Sequence, residues 1–321
     1  MRTSSNRVQP SVCSRYSTRR RLAPKSLKGR DSKNIGNTMK TTVVLALLSL
    51  VSVEGWLFSE DAEWNDLRVT WGLNQLFSST VFDSLPRTES DALAEGWVDF
   101  SRGAKCDDSF YRGSRYIKDN DPAVMLLFDK NGYVAGIQMG ALKAELPADL
   151  PSDAMKNMWN DDGDMYVITA YFVNPATVCT GRSEALFTLE GTGEGLYIQN
   201  GPNPQYDYDL IPRDEADIGT TLWTQGECFY TMGQHYWYNV TADMSCEDFF
   251  PVFLLYNSGR LNGFGWNIKA YLGSPRYEHP TTDVLDMFFK VIPECFFAEA
   301  DPRGATTQHI YMDSSPSFNF C

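Results

Sequence analysis

The chain predicts a mainly antiparallel β fold: sandwich-like packed sheets that carry a few short helices and are stapled by disulfides. Three observations lead there. Apolar runs of strand length recur, Asn-Gly and Ser-Gly turns punctuate them, and six of the seven cysteines are spread over residues 106–321.

The N-terminal segments come first. Residues 1–38 hold ten Lys or Arg against one acid and show no periodic apolar face, so they read as a basic leader outside the mature protein. At Met39 a single Lys precedes an eleven-residue apolar run, Val43 to Val53, that ends in small residues. A bilayer takes roughly 20 apolar residues, so this run is too short to span one. Val53 and Gly55 suit a cleavage site, and 39–55 reads as a secretory signal peptide. Residues 56–321 then form one secreted globular domain, with two subdomains as the alternative division. The expected location is extracellular, without a stable membrane anchor.

Along the domain, "SDALAEGWV" reads as a helix capped by Ser90. "AVMLLFDKNGYVAGIQMG" is a hairpin turning at Asn131-Gly132. "MYVITAYFV" and "EALFTLEGTGEGLYIQNG" supply strands, with "GTGEGL" between two of them; a phosphate loop would open a helix, and Glu194 would repel phosphate. The Pro/Asp-rich stretch from Asn200 to Asp217 reads as a surface loop or a boundary, and "CFYTMGQHYWYNV" as a further strand region. "PVFLLYNSGRLNGFGW" repeats the pattern of the first hairpin, Val124, Leu126, Phe128 and Gly136 answering to Val252, Leu254, Tyr256 and Gly263. One turn chemistry imposes such a pattern on any two hairpins, and the flanks do not match, so the two read as unrelated, with an old duplication as the alternative. "TTDVLDMFFKVIPECF" reads as a helix capped by Thr282 and stopped by Pro293.

Charge narrows the partners. The chain carries 28 basic and 41 acidic residues; residues 1–55 take 11 and 2 of these, leaving 17 and 39, a balance of about −22. Such a surface repels nucleic acid and anionic membrane and suits cationic partners, divalent cations or plain solubility. Cys106, Cys179, Cys228, Cys246, Cys295 and Cys321 make an even set, expected as three disulfides in an oxidising compartment. Cys228 with Cys246 is the most local pairing, and Cys321 ties the C-terminus to the body. Asn239-Val240-Thr241 is a glycosylation sequon on an expected exposed turn.

No G-x-S-x-G, S-x-x-K, H-E-x-x-H, Walker loop or papain-type cysteine is present. The acidic runs "KDNDP" and "NDDGD" bunch oxygen ligands as calcium loops do, without EF-hand spacing, and read as solvated turns. His235, His279 and His309 are the only histidines; three imidazoles suit zinc or copper, and Met312 would add a thioether that favours copper. On a strand His235 shares a face with Trp237, opposite Tyr236 and Tyr238. The aromatic run Tyr236, Trp237 and Tyr238 is the candidate ligand surface, since aromatic rings stack on sugars or cage cations.

The resulting expectation is a secreted, acidic, disulfide-bonded glycoprotein, an extracellular binding or matrix-type interaction protein. Its partner would be an extracellular ligand or matrix component, cationic or glycan in nature. The alternatives are an extracellular metalloenzyme using the three histidines with copper or zinc, and a carboxylate-based glycan hydrolase, for which two well-placed acids suffice.

Overall fold

A computed structural model describes residues 62–70, 82–297 and 303–321. The segments expected to be leader and signal peptide lie outside the described residues. Two antiparallel sheets pack face to face. Sheet I runs in the order β10 (Tyr208–Ile211), β9 (Leu196–Gln199), β8 (Met165–Tyr171), β6 (Val134–Leu142), β5 (Asp121–Phe128), β4 (Ser114–Lys118), β3 (Val98–Asp99), with β7 (Asn160–Asp162) also paired to β8. Sheet II runs β11 (Trp223–Phe229), β12 (Gly233–Tyr238), β13 (Val252–Asn257), β14 (Arg260–Ile268), β15 (Thr306–Tyr311), β1 (Arg68–Thr70), β2 (Phe82–Ser84). The first two strands among the described residues thus complete the sheet built by the C-terminal half.

Between the sheets lies one core. Val124, Leu126, Phe128, Ile137 and Ile168 of sheet I meet Val252, Leu254, Tyr256, Phe264 and Ile310 of sheet II, all fully buried. The intervening positions on each strand face outward and are covered by irregular segments, so both faces of each sheet are apolar. Among the described residues no helix is long and apolar enough to cross a membrane.

The two sheets repeat one another, and the expectation of unrelated hairpins is corrected. In the β5–β6 pair the register slips between Leu127, opposite Gly136, and Phe128, opposite Val134; in the β13–β14 pair it slips between Leu255, opposite Gly263, and Tyr256, opposite Leu261. Outward from the hairpins, Gly136 then faces Tyr171 and Gly263 faces Tyr311. The flanks correspond as well: Leu85-Pro86-Arg87-Thr88-Glu89 leads into helix α1 (Glu89–Ala94), and Ile211-Pro212-Arg213-Asp214-Glu215 leads into α3 (Glu215–Ile218). Tyr116 hydroxyl donates to Glu89 in the first copy, and Tyr236 hydroxyl donates to Glu215 at 2.8 Å in the second. The match escapes a linear reading because each copy begins with a strand that belongs to the other copy's sheet.

Other expectations are refined. The first helix is capped by Thr88, whose hydroxyl accepts from the Asp91 amide at 3.1 Å, rather than by Ser90. "EALFTLE" is a helix, α2 (Glu184–Glu190) with Ser183 as cap, not a strand: its polar-apolar order carries no period of two, and the cap hydroxyl accepts from Leu186 at 3.2 Å. "GTGEGL" therefore follows a helix and leads into β9. The stretch from Asn200 to Asp217 holds β10 and the start of α3, so it joins the two copies as ordered structure. The segment at Thr282 is a short 3-10 turn, Thr282–Met287, preceded by Thr281 and finished long before Pro293.

The disulfides are Cys106–Cys179, Cys228–Cys321 and Cys246–Cys295. The local pairing of Cys228 with Cys246 is not formed: Cys228 is exposed on edge strand β11, whereas Cys246 is buried beneath the outer face of sheet II. The C-terminus is tied to the body by Cys321, as expected.

Candidate functional site

The outer face of sheet II carries a row of directly opposed residues, Trp237, Phe253, Gly265 and His309, one from each of β12 to β15. Glycine at position 265 is what lets the row close up. A Cβ there would lie 2.1 Å from the Phe253 ring edge and 2.5 Å from the Gln308 carbonyl oxygen, so the ring occupies the space that any side chain would fill. His235 sits one pleat along β12, with its ring centroid 5.7 Å from that of Phe253 and 6.2 Å from that of His309. Leu285 of the 3-10 turn Thr282–Met287, Phe288 and Phe289 just after it, and Phe296 of the 3-10 turn Glu294–Phe297 close over this row, the second turn anchored through Cys295 to Cys246. The cavity left between them measures about 30 Å³, room for one or two water-sized groups.

Four polar side chains face this aromatic space, His235, Asn267, Thr307 and His309. His235 Nδ1 lies 3.2 Å from the Glu227 carbonyl oxygen, an acceptor only, so Nδ1 carries the proton and Nε2 presents a lone pair. That Nε2 is buried without a protein partner, as is the Nδ2 amide of Asn267, and both residues line the cavity. Burial, reinforced by the neighbouring His309, pushes the His235 pKa down to about 3, which keeps the imidazole neutral. His309 lies 2.7 Å through Nδ1 from Glu278, which also accepts from the Thr70 hydroxyl at 2.6 Å and the Thr307 hydroxyl at 3.1 Å. Burial favours the neutral form of Glu278, but its interaction with His309 and these hydrogen bonds outweigh it and hold the carboxyl below its ordinary range.

The same positions in sheet I are filled differently. The row there reads Ile117, Met125, Gln138 and Thr169, with Arg115 where sheet II has His235. Arg115 reaches Gln138 at 3.5 Å and Asp162 at 2.8 Å, and Gln138 donates to Thr169 at 2.9 Å. One outer face is thus closed by a bonded polar chain, while its counterpart has exchanged Gln138 for Gly265 and keeps a cavity with two unpartnered polar atoms.

Of the sequence candidates, His235 and His309 come together here. His279 does not: its ring stacks on Tyr271 at 3.9 Å, and its Nδ1 lies 3.3 Å from the Ala305 carbonyl oxygen. Met312 is on the opposite face from His309, in the core between the sheets, because successive strand residues alternate. Among the described residues no three His, Cys, Asp or Glu side chains are grouped as metal ligands, in the histidine cluster or in the acidic turns at 118–122 and 160–164. Trp237 lines the cavity, whereas Tyr236 and Tyr238 pack toward the core between the sheets; the three do not form one surface. Asn239 is exposed.

Glu278, Asn267, Phe253 and Gly265 were not legible as site residues. Only the pairing of Phe253 with Gly265 leaves a trace in the sequence, as a register counted outward from the Ser258-Gly259 turn. No protein-family model, no curated protein and no solved structure matches the chain, so its site is read from its own geometry.

Proposed function

We propose that the chain is a secreted, disulfide-bonded glycoprotein that works by binding. In this reading the cavity on the outer face of sheet II takes the hydroxyl end of a small, uncharged, apolar-bodied molecule. The observation that carries the reading is the pair of buried, unpartnered atoms His235 Nε2 and Asn267 Nδ2 in an aromatic cavity, where the corresponding place in sheet I is filled by the hydrogen-bonded side chains of Arg115, Gln138 and Thr169. One atom accepts a hydrogen bond and the other donates one, and a hydroxyl is the smallest group that answers both. A neutral His235 offers no charge to an anion, and the ionised Glu278 nearby disfavours one further. The six disulfide-bonded cysteines and the exposed sequon at Asn239 support the extracellular placement.

Titration of intrinsic tryptophan fluorescence with 1-hexanol, hexanoate and hexylamine tests this, since Trp237 lines the cavity. Hexanol alone is expected to bind, and His235→Phe and Asn267→Leu to weaken it by about tenfold each, the value of one lost hydrogen bond to a buried group. Equal binding of all three compounds, or hexanol binding untouched by both variants, would sink the reading.

A further inference from the structure

The sandwich has two corresponding seams where an edge strand of one sheet approaches the other sheet. At the first, Asp83, Leu85, Trp97 and Lys118 line an open cleft; at the second, the matching residues Asp209, Ile211, Trp223 and Tyr238 line a cleft of about 210 Å³. Their chemistry differs. The first is charged, with Glu95 also on its wall and an Arg276–Asp119 ion pair of 2.8 Å. The second is aromatic: the Tyr238 and Phe250 rings lie 4.5 Å apart and Trp223 lies 5.3 Å from Tyr238, while Leu210 and Leu222 at the rim are each 57% exposed. Exposed leucines around an aromatic floor are costly to leave in water.

The sequon stands at that rim. Asn239 directly follows Tyr238, adopts a left-handed backbone with φ of 49°, and donates its amide to the Leu222 carbonyl at 2.8 Å. Its side chain is exposed, and the corresponding left-handed residue at the charged seam is Asp119, φ 57°, which no glycan can modify. The one apolar seam is therefore the one that carries an attachment point.

We propose that an N-linked glycan on Asn239 folds back into this seam, the apolar faces of its first sugar rings lying on Tyr238, Leu222 and Leu210. Attachment joins the sugar's anomeric carbon to the Asn239 amide nitrogen, which gives up a proton, and breaks the bond to a lipid-linked pyrophosphate donor, which leaves. Stacking of sugar C–H faces on aromatic and aliphatic surface supplies the affinity, and tethering keeps the local sugar concentration high. The inference rests on the secreted reading, because the donor is met only in the secretory pathway.

The test uses the full chain secreted from eukaryotic cells, before and after enzymatic release of the glycan, which leaves Asn239→Asp. Peptide mass mapping is expected to find Asn239 occupied. Release is expected to raise binding of the apolar dye ANS severalfold and to lower the melting midpoint by about 2–4 °C. A Leu210→Ser/Leu222→Ser variant, altered only at exposed positions, should make release nearly silent in both readouts. An unmodified Asn239 in secreted protein overturns this inference and leaves secretion standing; failure of the chain to be secreted overturns both; an occupied site whose release moves neither dye nor midpoint overturns the packing alone.

Discussion

Gly113 and Gly233 hold corresponding places at the heads of β4 and β12, each with φ of 105° and each pressed against a carbonyl of the neighbouring strand. A Cβ on Gly113 would fall 2.7 Å from the Phe128 oxygen, and one on Gly233 would fall 2.6 Å from the Tyr256 oxygen. Gly113→Ala and Gly233→Ala are therefore expected to destabilise alike, by about 3 kcal/mol each, from backbone strain and the displaced carbonyl together. Gly96→Ala, at φ of 87° but with nothing within 4 Å, should cost only about 1 kcal/mol. Urea unfolding of the three variants checks this, and a large difference between the first two would break the equivalence of the sheets.

Acid should weaken the fold through His235. Unfolded, its imidazole takes a proton near 6.5; folded, burial and His309 delay this to about 3. The unfolded state then holds more protons throughout that window, so stability falls as pH drops through it, by on the order of 5 kcal/mol in all. Glu278 acts in the same direction at the acid end: its folded pKa lies below its ordinary 4.5, so the stability it lends is present above that value and lost as pH falls through the folded one. Urea midpoints measured from pH 7.5 to 4.5 should decline, and His235→Phe should flatten the decline above pH 5. An unchanged slope in that variant would assign the acid sensitivity elsewhere.

Nonreducing peptide mapping should recover Cys106–Cys179, Cys228–Cys321 and Cys246–Cys295 and no Cys228–Cys246 peptide. Cys321→Ser is expected to lower stability by about 2–4 kcal/mol, since the bridge closes a loop with a sequence separation of 93. The Asn257 side chain, which accepts from the amides of Phe320 and Cys321 at 2.9 and 3.1 Å, should retain part of the C-terminal order.

The polar chain of sheet I predicts a non-additive pair. Arg115 is 1% exposed and ion-paired to Asp162, so Arg115→Met alone strands its partners and should cost about 3 kcal/mol. Adding Asp162→Leu should restore much of the loss, because removing both charges also removes their desolvation. A double-mutant cycle in thermal unfolding reads the coupling, and simple additivity would refute it.

The two central hairpins and the three disulfides were legible because their signals are local or arithmetic: Asn131-Gly132, Ser258-Gly259 and an even cysteine count. The division of faces on β12 was legible too, since alternation alone separates His235 and Trp237 from Tyr236 and Tyr238. What stayed hidden depends on residues far apart in the chain. Glu278 reaches His309 only because a non-strand segment folds back along β15, and nothing in its "RYEHP" setting marks that. The helix at 184–190 was misread because Ala185, Leu186, Phe187 and Leu189 make a strand-like apolar run, whereas Ser183 provides the cap that decides it. Met312 looked like a companion of His309 when counted along the sequence, but the odd spacing puts it on the other side of the sheet.

Arg68 pairs with Tyr311, 243 positions further on. At a synthesis rate of about 5–20 residues per second, β1 and β2 leave the ribosome some 12–50 s before the strand they must join. Sheet I can close during translation once β10 emerges, but sheet II cannot, and its earliest strands spend that interval without their neighbour. The nascent chain thus carries an unmated strand edge through most of its own manufacture, and a chain that stops before β15 has no way to retire it.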